Sequence, residues 1–479
     1  MIDPKWFVRK VGFGLRPEED IPADPLAWAF AQTDVLPLSV GIEDLTMSGT
    51  EIVPWPEEFQ WSLEERVARF IEYWDGKEAL DRDFDRNSAE YKAGIKELKK
   101  LLAQRYDELH RAHQCLYGST PVFERLAHFW QNHFTVGSTG AEDWNGHYHQ
   151  AAIKEKMLGS FPDLLYAALS HPAMMLYLDN HSSVGPDSED AKWAKRNGKV
   201  AGLNENLARE ILELHTLSPS GGYSQADIIG LAKVLTGWGY WPTSKDVKNV
   251  MSKDRWYLFF PNRHQPGRKK ILGRTYGQGR ATLRDVLDDL AIHPNTARFI
   301  STKLARSFIA DEPSVAALDA IESAWKSSDG HLPTIHKAVI QEVANAGPKA
   351  KLIPPEPWLY QICRISGANL FPGFNNLEPE GSYERDPAEL LEEAGQWYWS
   401  ERQPNGFSDL SVDWTSAEYM DRRIRLSRLV SLAGRPTVSP ESVIARCGLS
   451  KKVVKLIGRA SSLHDQYTLL FCSKEFMGV

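Results

Sequence analysis

Glu210 and Glu213 are the carboxylates in this sequence best spaced for acid–base chemistry. Two such groups divide the roles of general acid and general base when their surroundings pull their proton affinities apart. Around them Asn206, Arg209, Glu210 and Glu213 fall at i, i+3, i+4 and i+7, one polar stripe on a helix. Leu207, Ala208, Ile211, Leu212 and Leu214 cover the other sides, which predicts a buried helix. Buried charges need partners. Glu205 and Glu213 flank Arg209 at four-residue spacing and are placed to pair with it. Glu210 is then left for a ligand, a metal or a second helix.

Other segments add polar residues of the types an assembled active site needs. Asn132 and His133 sit on an apolar helix. Asp179 and Asn180, then Asn204, His215, Trp238, His264 and Lys269, follow along the chain. The reading assigns proton transfer to Glu210, Glu213, His133 and His215. It assigns substrate contacts to Asn132, Asp179, Asn180, Asn204, Asn206, Arg209, Trp238, His264 and Lys269. The Asn132-His133 pair resembles one used by all-α polysaccharide lyases. Gly237-Trp238-Gly239-Tyr240-Trp241 and Trp397-Tyr398-Trp399 are aromatic clusters of a kind that stacks on sugar rings. The competing reading is a buried polar network that ties helices together, with tryptophans as core wedges.

Metal chemistry has ligand types here without the familiar spacings. Glu210-x-x-Glu213-x-His215 and His133 are suitable donors, but Glu-x-x-His is absent. His147-x-His149 reads as a loop coincidence. There is no His-Glu-x-x-His, no Walker loop, no GxGxxG strand–helix unit and no Gly-x-Ser-x-Gly elbow. The expectation is no cofactor and no tightly held structural zinc.

Positioning the stripe falls to an αα-hairpin over 204–238. Ser224 and Asp227 form a capping box, with Tyr223 and Ile228 at the staple positions and Gly237 to end the helix. Ser218 to Gly222 is the connecting loop. The second helix carries Lys233 as its only base, so it does not read DNA. Elsewhere residues 1–60 look irregular and wrap a core. Helical spacing opens at Ser62, continues as an amphipathic stretch over 76–118 and restarts at Thr120-Pro121. Residues 181–203 read as a long loop. A β-hairpin is predicted over about 254–276, turning around Arg263 to Gly267, and an irregular segment over about 371–394. Helices return over 150–178, 280–345, 414–434 and 440–476. The fold class is therefore mainly α: one large multi-helical domain over 1–479, an αα-hairpin at its centre and a small β-hairpin.

Composition narrows the partners. The net charge of −7 excludes a general binder of nucleic acid or anionic membrane. No apolar run reaches the roughly 18 residues of a membrane span. Met1 to Trp6 shows no signal-peptide pattern, which predicts a cytoplasmic location. Cys115, Cys363, Cys447 and Cys472 lack CxxC spacing and read as reduced core residues.

Several blocks together resemble domain-of-unknown-function family 1800, a large bacterial family. They are Arg9-Lys10-Val11-Gly12-Phe13-Gly14, Phe129-Trp130-Gln131-Asn132-His133-Phe134, His171-Pro172-Ala173-Met174 with Tyr177-Leu178-Asp179-Asn180, and Asn204 to Thr216. Tyr223 to Asp227, Leu235-Thr236-Gly237-Trp238, His264 with Gly267 and Lys269, Pro404-Asn405-Gly406 and Ser473 to Phe476 continue the match. Gln131 stands where many members have His. The resemblance implies a periplasmic or extracellular location as the alternative, and a sulfatase-like protein as partner. From residues and resemblance together the expected function is a hydrolase or lyase acting on a saccharide or other polar envelope-type molecule. A non-catalytic partner or scaffold for the sulfatase-like protein is the alternative, and a metal-dependent enzyme the third.

Overall fold

The computed structural model describes residues 2–44, 51–137, 142–239, 258–348, 351–376, 387–397, 399 and 403–478. Within them helices dominate, and strands are confined to three antiparallel pairs of two or three residues each. The predicted irregular start contains two short helices, Pro4–Val11 and Pro25–Phe30. Each opens on proline, with an aspartate ahead of it accepting from the first turn. The amphipathic stretch is divided into Leu63–Asp83, Ala89–Lys99 and Gln104–Tyr117. Of the segment 371–394, Phe374–Asn376 and Pro387–Ala394 are helical, and 377–386 lie outside the described residues.

The buried apolar side chains form one contiguous cluster from Phe7 to Phe476. The chain's two ends meet inside it. Arg9 donates to the carbonyls of Phe476 (2.7 Å) and Glu475 (3.4 Å), and the Ile353 amide donates to Met477. Helix Pro355–Ser366 is buried along its whole length.

Several charges inside this core are paired. Glu356 is fully buried and meets Arg111 at 2.8 Å and His128 at 3.0 Å. Arg66 grips both carboxylate oxygens of Asp107. Lys154 donates to Glu124 at 2.6 Å. Helix Pro121–His133 spends Glu124 on Lys154, His128 on Glu356 and Asn132 on the Phe407 backbone, each four residues after the last.

The αα-hairpin forms as its caps predict. Ser224 and Asp227 close a capping box on helix Gln225–Leu235, and Gly237 follows with φ +85°. A Cβ on Gly230 would stand 2.5 Å from the Lys270 carbonyl, so only glycine lets this helix touch the strand beside it. The predicted β-hairpin is corrected. Leu258–Phe259 pairs back with Trp238–Gly239, and 254–257 lie outside the described residues. The true hairpin joins Lys269–Ile271 to Arg274–Tyr276. Its turn, Leu272-Gly273, has φ +49° and +79°, the handedness that matches strand twist. The 181–203 loop is likewise corrected: it contains helix Glu189–Arg196, capped by Ser188. Gly185 and Asp187 hydrogen-bond it to Arg263 and Gln265.

All four cysteines are free. Among the described residues no helix is long and apolar enough to cross a membrane.

Candidate functional site

The stripe sits on helix Asn206–Glu210, which runs into a π-helical turn, Ile211–His215. The Leu217 amide and the Thr216 hydroxyl reach back five residues, to the carbonyls of Leu212 and Ile211. Such widened turns recur at functional sites. The predicted burial of the stripe is corrected. Asn206 is exposed, and Arg209, Glu210 and Glu213 are half-buried. The apolar residues are on the inner side, but there are enough of them only to seat the helix, not to enclose it.

Arg209 pairs with Glu205 at 3.6 Å and donates to Gln225 at 3.2 Å, while Gln225 donates to Glu205 at 2.6 Å. Glu213, the other expected partner, instead accepts from the Tyr223 hydroxyl at 3.3 Å. Tyr223 and Gln225 were legible in the sequence only as staple and first-turn positions. Glu210 has no hydrogen bond or ion pair among the described residues. Burial raises its pKa, the Glu213 carboxylate adds to this, and Arg209 opposes.

His215 belongs elsewhere. It lies in the π-helical turn and is fully buried with Ile211 and Leu212, while Glu210 and Glu213 are half-buried. There its Nδ1–H donates to the His133 carbonyl at 3.1 Å, and His133 Nε2–H donates to the His215 carbonyl at 3.3 Å. Burial lowers both rings far from protonation, His215 to about 3. Their expected role in proton transfer is corrected to that of neutral pins between two helices. Among the described residues His133 Nδ1 and His215 Nε2 have no hydrogen-bond partner. Lys303, which no sequence motif marked, lies close enough to disfavour a charge on either ring; its own ammonium is pushed down by burial and held up by Asp409. Asn132 reads the backbone of Phe407 from both sides, donating at 2.9 Å and accepting at 2.8 Å.

A third group gathers around the Trp238–Gly239 strand. Asn180 donates to the carbonyls of Trp238 (2.9 Å) and Leu235 (3.2 Å). Asn204 donates to the Asp179 carbonyl at 3.0 Å and holds the first amide of the stripe helix, that of Asn206, at 2.9 Å. Asp179 itself is exposed, at φ +55°. His264 donates through Nδ1 to the Thr236 carbonyl at 2.7 Å. Its Nε2 accepts from Lys269 and from the Gly279 amide, both at 3.0 Å. Burial lowers the Lys269 pKa to about 8, with Lys233 adding to it. Trp238 is 2% exposed and Trp399 is 1%, so neither is a stacking platform; Tyr240, Trp241 and Tyr398 lie outside the described residues.

The candidates therefore divide into an outer carboxylate face, an inner histidine tie and a strand-side cluster. Among the described residues no three His, Cys, Asp or Glu side chains are grouped to hold a metal ion. His147 meets His171 and His149 meets Gln131, so the two do not share a partner.

Comparison with curated proteins and with solved structures found no match. A family model described as a protein of unknown function, DUF1800, matches residues 7–476, nearly the whole chain, and the chain belongs to that family.

Proposed function

We propose that this chain is an acid–base enzyme of hydrolase or lyase type, working at the face that carries Glu210 and Glu213. The observation behind it is Glu210: a half-buried carboxyl with raised pKa, no partner among the described residues, and a second carboxylate beside it. The raised proton affinity of Glu210 suits a general acid, and Glu213, which accepts from the Tyr223 hydroxyl, suits a general base. Arg209, braced by Glu205 and Gln225, fixes the local charge. The substrate is a polar molecule, a saccharide or another envelope-type compound, whose leaving oxygen takes the Glu210 proton. The test is incubation with neutral and uronate-containing polysaccharides, reading reducing ends and the ultraviolet absorbance of an unsaturated product. Wild type releases product, and Glu210→Gln folds but does not. A Glu210→Gln variant as active as wild type, or no product from either class, removes the proposal.

A second reading has its own observation. Asn132, His133, Asn180, Asn204, His215 and His264 are all engaged in internal ties to backbone. A chain whose motif residues serve its own rigidity suits a non-catalytic scaffold for a sulfatase-like protein. Stable co-purification with such a protein that survives Glu210→Gln favours this reading over the first.

A further inference from the structure

The net charge of −7, which speaks against a general binder of anionic surfaces, is unevenly spread. Residues 417–479 carry 11 Lys and Arg against 5 Asp and Glu, a net of +6, while residues 1–416 carry a net of −13. Solution ions screen charges more than about 10 Å apart, so an acidic body does not cancel a basic surface elsewhere. None of the residues that form this surface belongs to the carboxylate face.

The outward faces of this segment are basic and aliphatic together. On helix Ala417–Leu432, Leu426, Ser427 and Val430 are buried, while Ile424, Arg428 and Leu432 stand exposed at i, i+4 and i+8. On helix Lys451–Ile457, Val453 and Ile457 are buried, and Lys451, Lys452, Val454 and Lys455 are exposed, with Arg459 just beyond. Helix Leu463–Phe471 ties the two together. Cys472 meets Ser427 at 3.3 Å and His464 meets Ser431 at 2.8 Å, so this helix runs antiparallel to Ala417–Leu432. That places Leu463 at the Leu432 end, and Arg459, four residues before Leu463, stands at most about 14 Å from it. Ile424, Leu432, Val454 and Leu463 are each 46–54% exposed. A lone exposed aliphatic is ordinary, but each of these lies one to four residues from an exposed cation.

The acids of the segment are engaged with their own neighbours. Glu418 pairs with Arg422 at 2.7 Å and Asp421 with Arg425 at 2.9 Å. Asp465 accepts from Ser462 and Glu475 from Ser450, and Glu441 lies beside Tyr467. Among the described residues Arg428, Lys451, Lys455 and Arg459 have no ion pair.

We propose that this C-terminal face docks on an anionic lipid surface. Its cations meet the headgroup phosphates, and Leu432 and Leu463, with Ile424 and Val454, enter the boundary of the acyl chains. Soluble polyanions fit the face less well. Nucleic acid and sugar chains are gripped by aromatic stacking as well as by charge. No Phe, Tyr or Trp among the described residues 417–478 is exposed, and the exposed aliphatics gain nothing from such a strand.

The test is co-sedimentation of the full chain with vesicles of phosphatidylcholine, with and without phosphatidylglycerol. Wild type should pellet with the anionic vesicles alone, and less at high salt. Each cation at such a surface is worth a factor of about five, so Lys451→Gln, Lys452→Gln and Lys455→Gln together should weaken binding roughly 100-fold. Leu432→Ser with Leu463→Ser should weaken vesicle binding but leave any binding to polygalacturonate or duplex DNA unchanged. All five positions are exposed, and thermal melts check that both variants fold. If either does not, the preference of wild type for anionic vesicles over the two soluble polyanions decides the matter. No pelleting with anionic vesicles, equal pelleting of the lysine variant, full vesicle binding by the leucine variant, or tighter binding to polygalacturonate or DNA than to vesicles overturns the assignment.

Discussion

Replacing Arg209 by alanine tests whether the stripe is surface or core. Its ion pair with Glu205 spans 3.6 Å between side chains that are 41% and 32% exposed. At that exposure a pair contributes about 0.2–1 kcal/mol, because solvent screens it. The hydrogen bond to Gln225 adds about 0.5–1.5 kcal/mol. The expected loss is about 1–2 kcal/mol, and salt should shrink it. Lys154→Met is the internal comparison. Its partner Glu124 is 2.6 Å away, and the two side chains are 4% and 2% exposed. Removing one member of such a pair costs about 3–5 kcal/mol, because the other stays charged and buried. Urea unfolding followed by tryptophan fluorescence, at low and high salt, reads both variants on one scale. A loss in Arg209→Ala as large as that in Lys154→Met, and insensitive to salt, would refute an exposed stripe and with it the accessible face on which Glu210 depends.

Glu210→Gln should melt at or above the wild-type temperature at neutral pH. A raised carboxyl binds its proton more tightly folded than unfolded, so wild-type stability falls as pH rises above the unfolded carboxylate value; the variant lacks this fall, and melts from pH 4 to 8 would show it. Lys269 has the opposite sign. Its folded value of about 8 lies below the unfolded ~10.4, so wild type gains stability between the two as pH rises, and Lys269→Met should be flat there. Asn132→Ala loses two bonds to Phe407, together about 1–3 kcal/mol, and limited proteolysis should then cut earlier within 403–414.

Local signals carried furthest. The Ser224 capping box, the proline start at Pro121 and the glycine stop at Gly237 are read from two or three neighbouring residues, and each is where those residues place it. The stripe was legible as a pattern but not as a depth. Periodicity says which residues share a face, while burial depends on what lies opposite. His215 was grouped with Glu210 by closeness in sequence, although the widened turn buries it with Ile211 and Leu212 and leaves Glu210 half-buried. The strand-side error has the same origin. Leu258–Phe259 had two apolar partners available, and pattern alone does not choose between Trp238–Gly239 and Lys270–Ile271. Lys303, beside His133 and His215, was invisible for a simpler reason. Their meeting is made by contacts between distant parts of the chain, and no spacing rule reaches that far.

The grip of Arg9 on the Phe476 carbonyl has a consequence in time. The two residues are 467 apart in sequence. On a ribosome adding ~5–20 residues per second, the first helix waits roughly half a minute to a minute and a half for its final contact. Throughout that interval Phe7 and Val11, which end fully buried, have no C-terminal segment to cover them. Until the residues around Phe476 have been made, the nascent chain therefore carries an amphipathic helix whose apolar face lacks one of its neighbours.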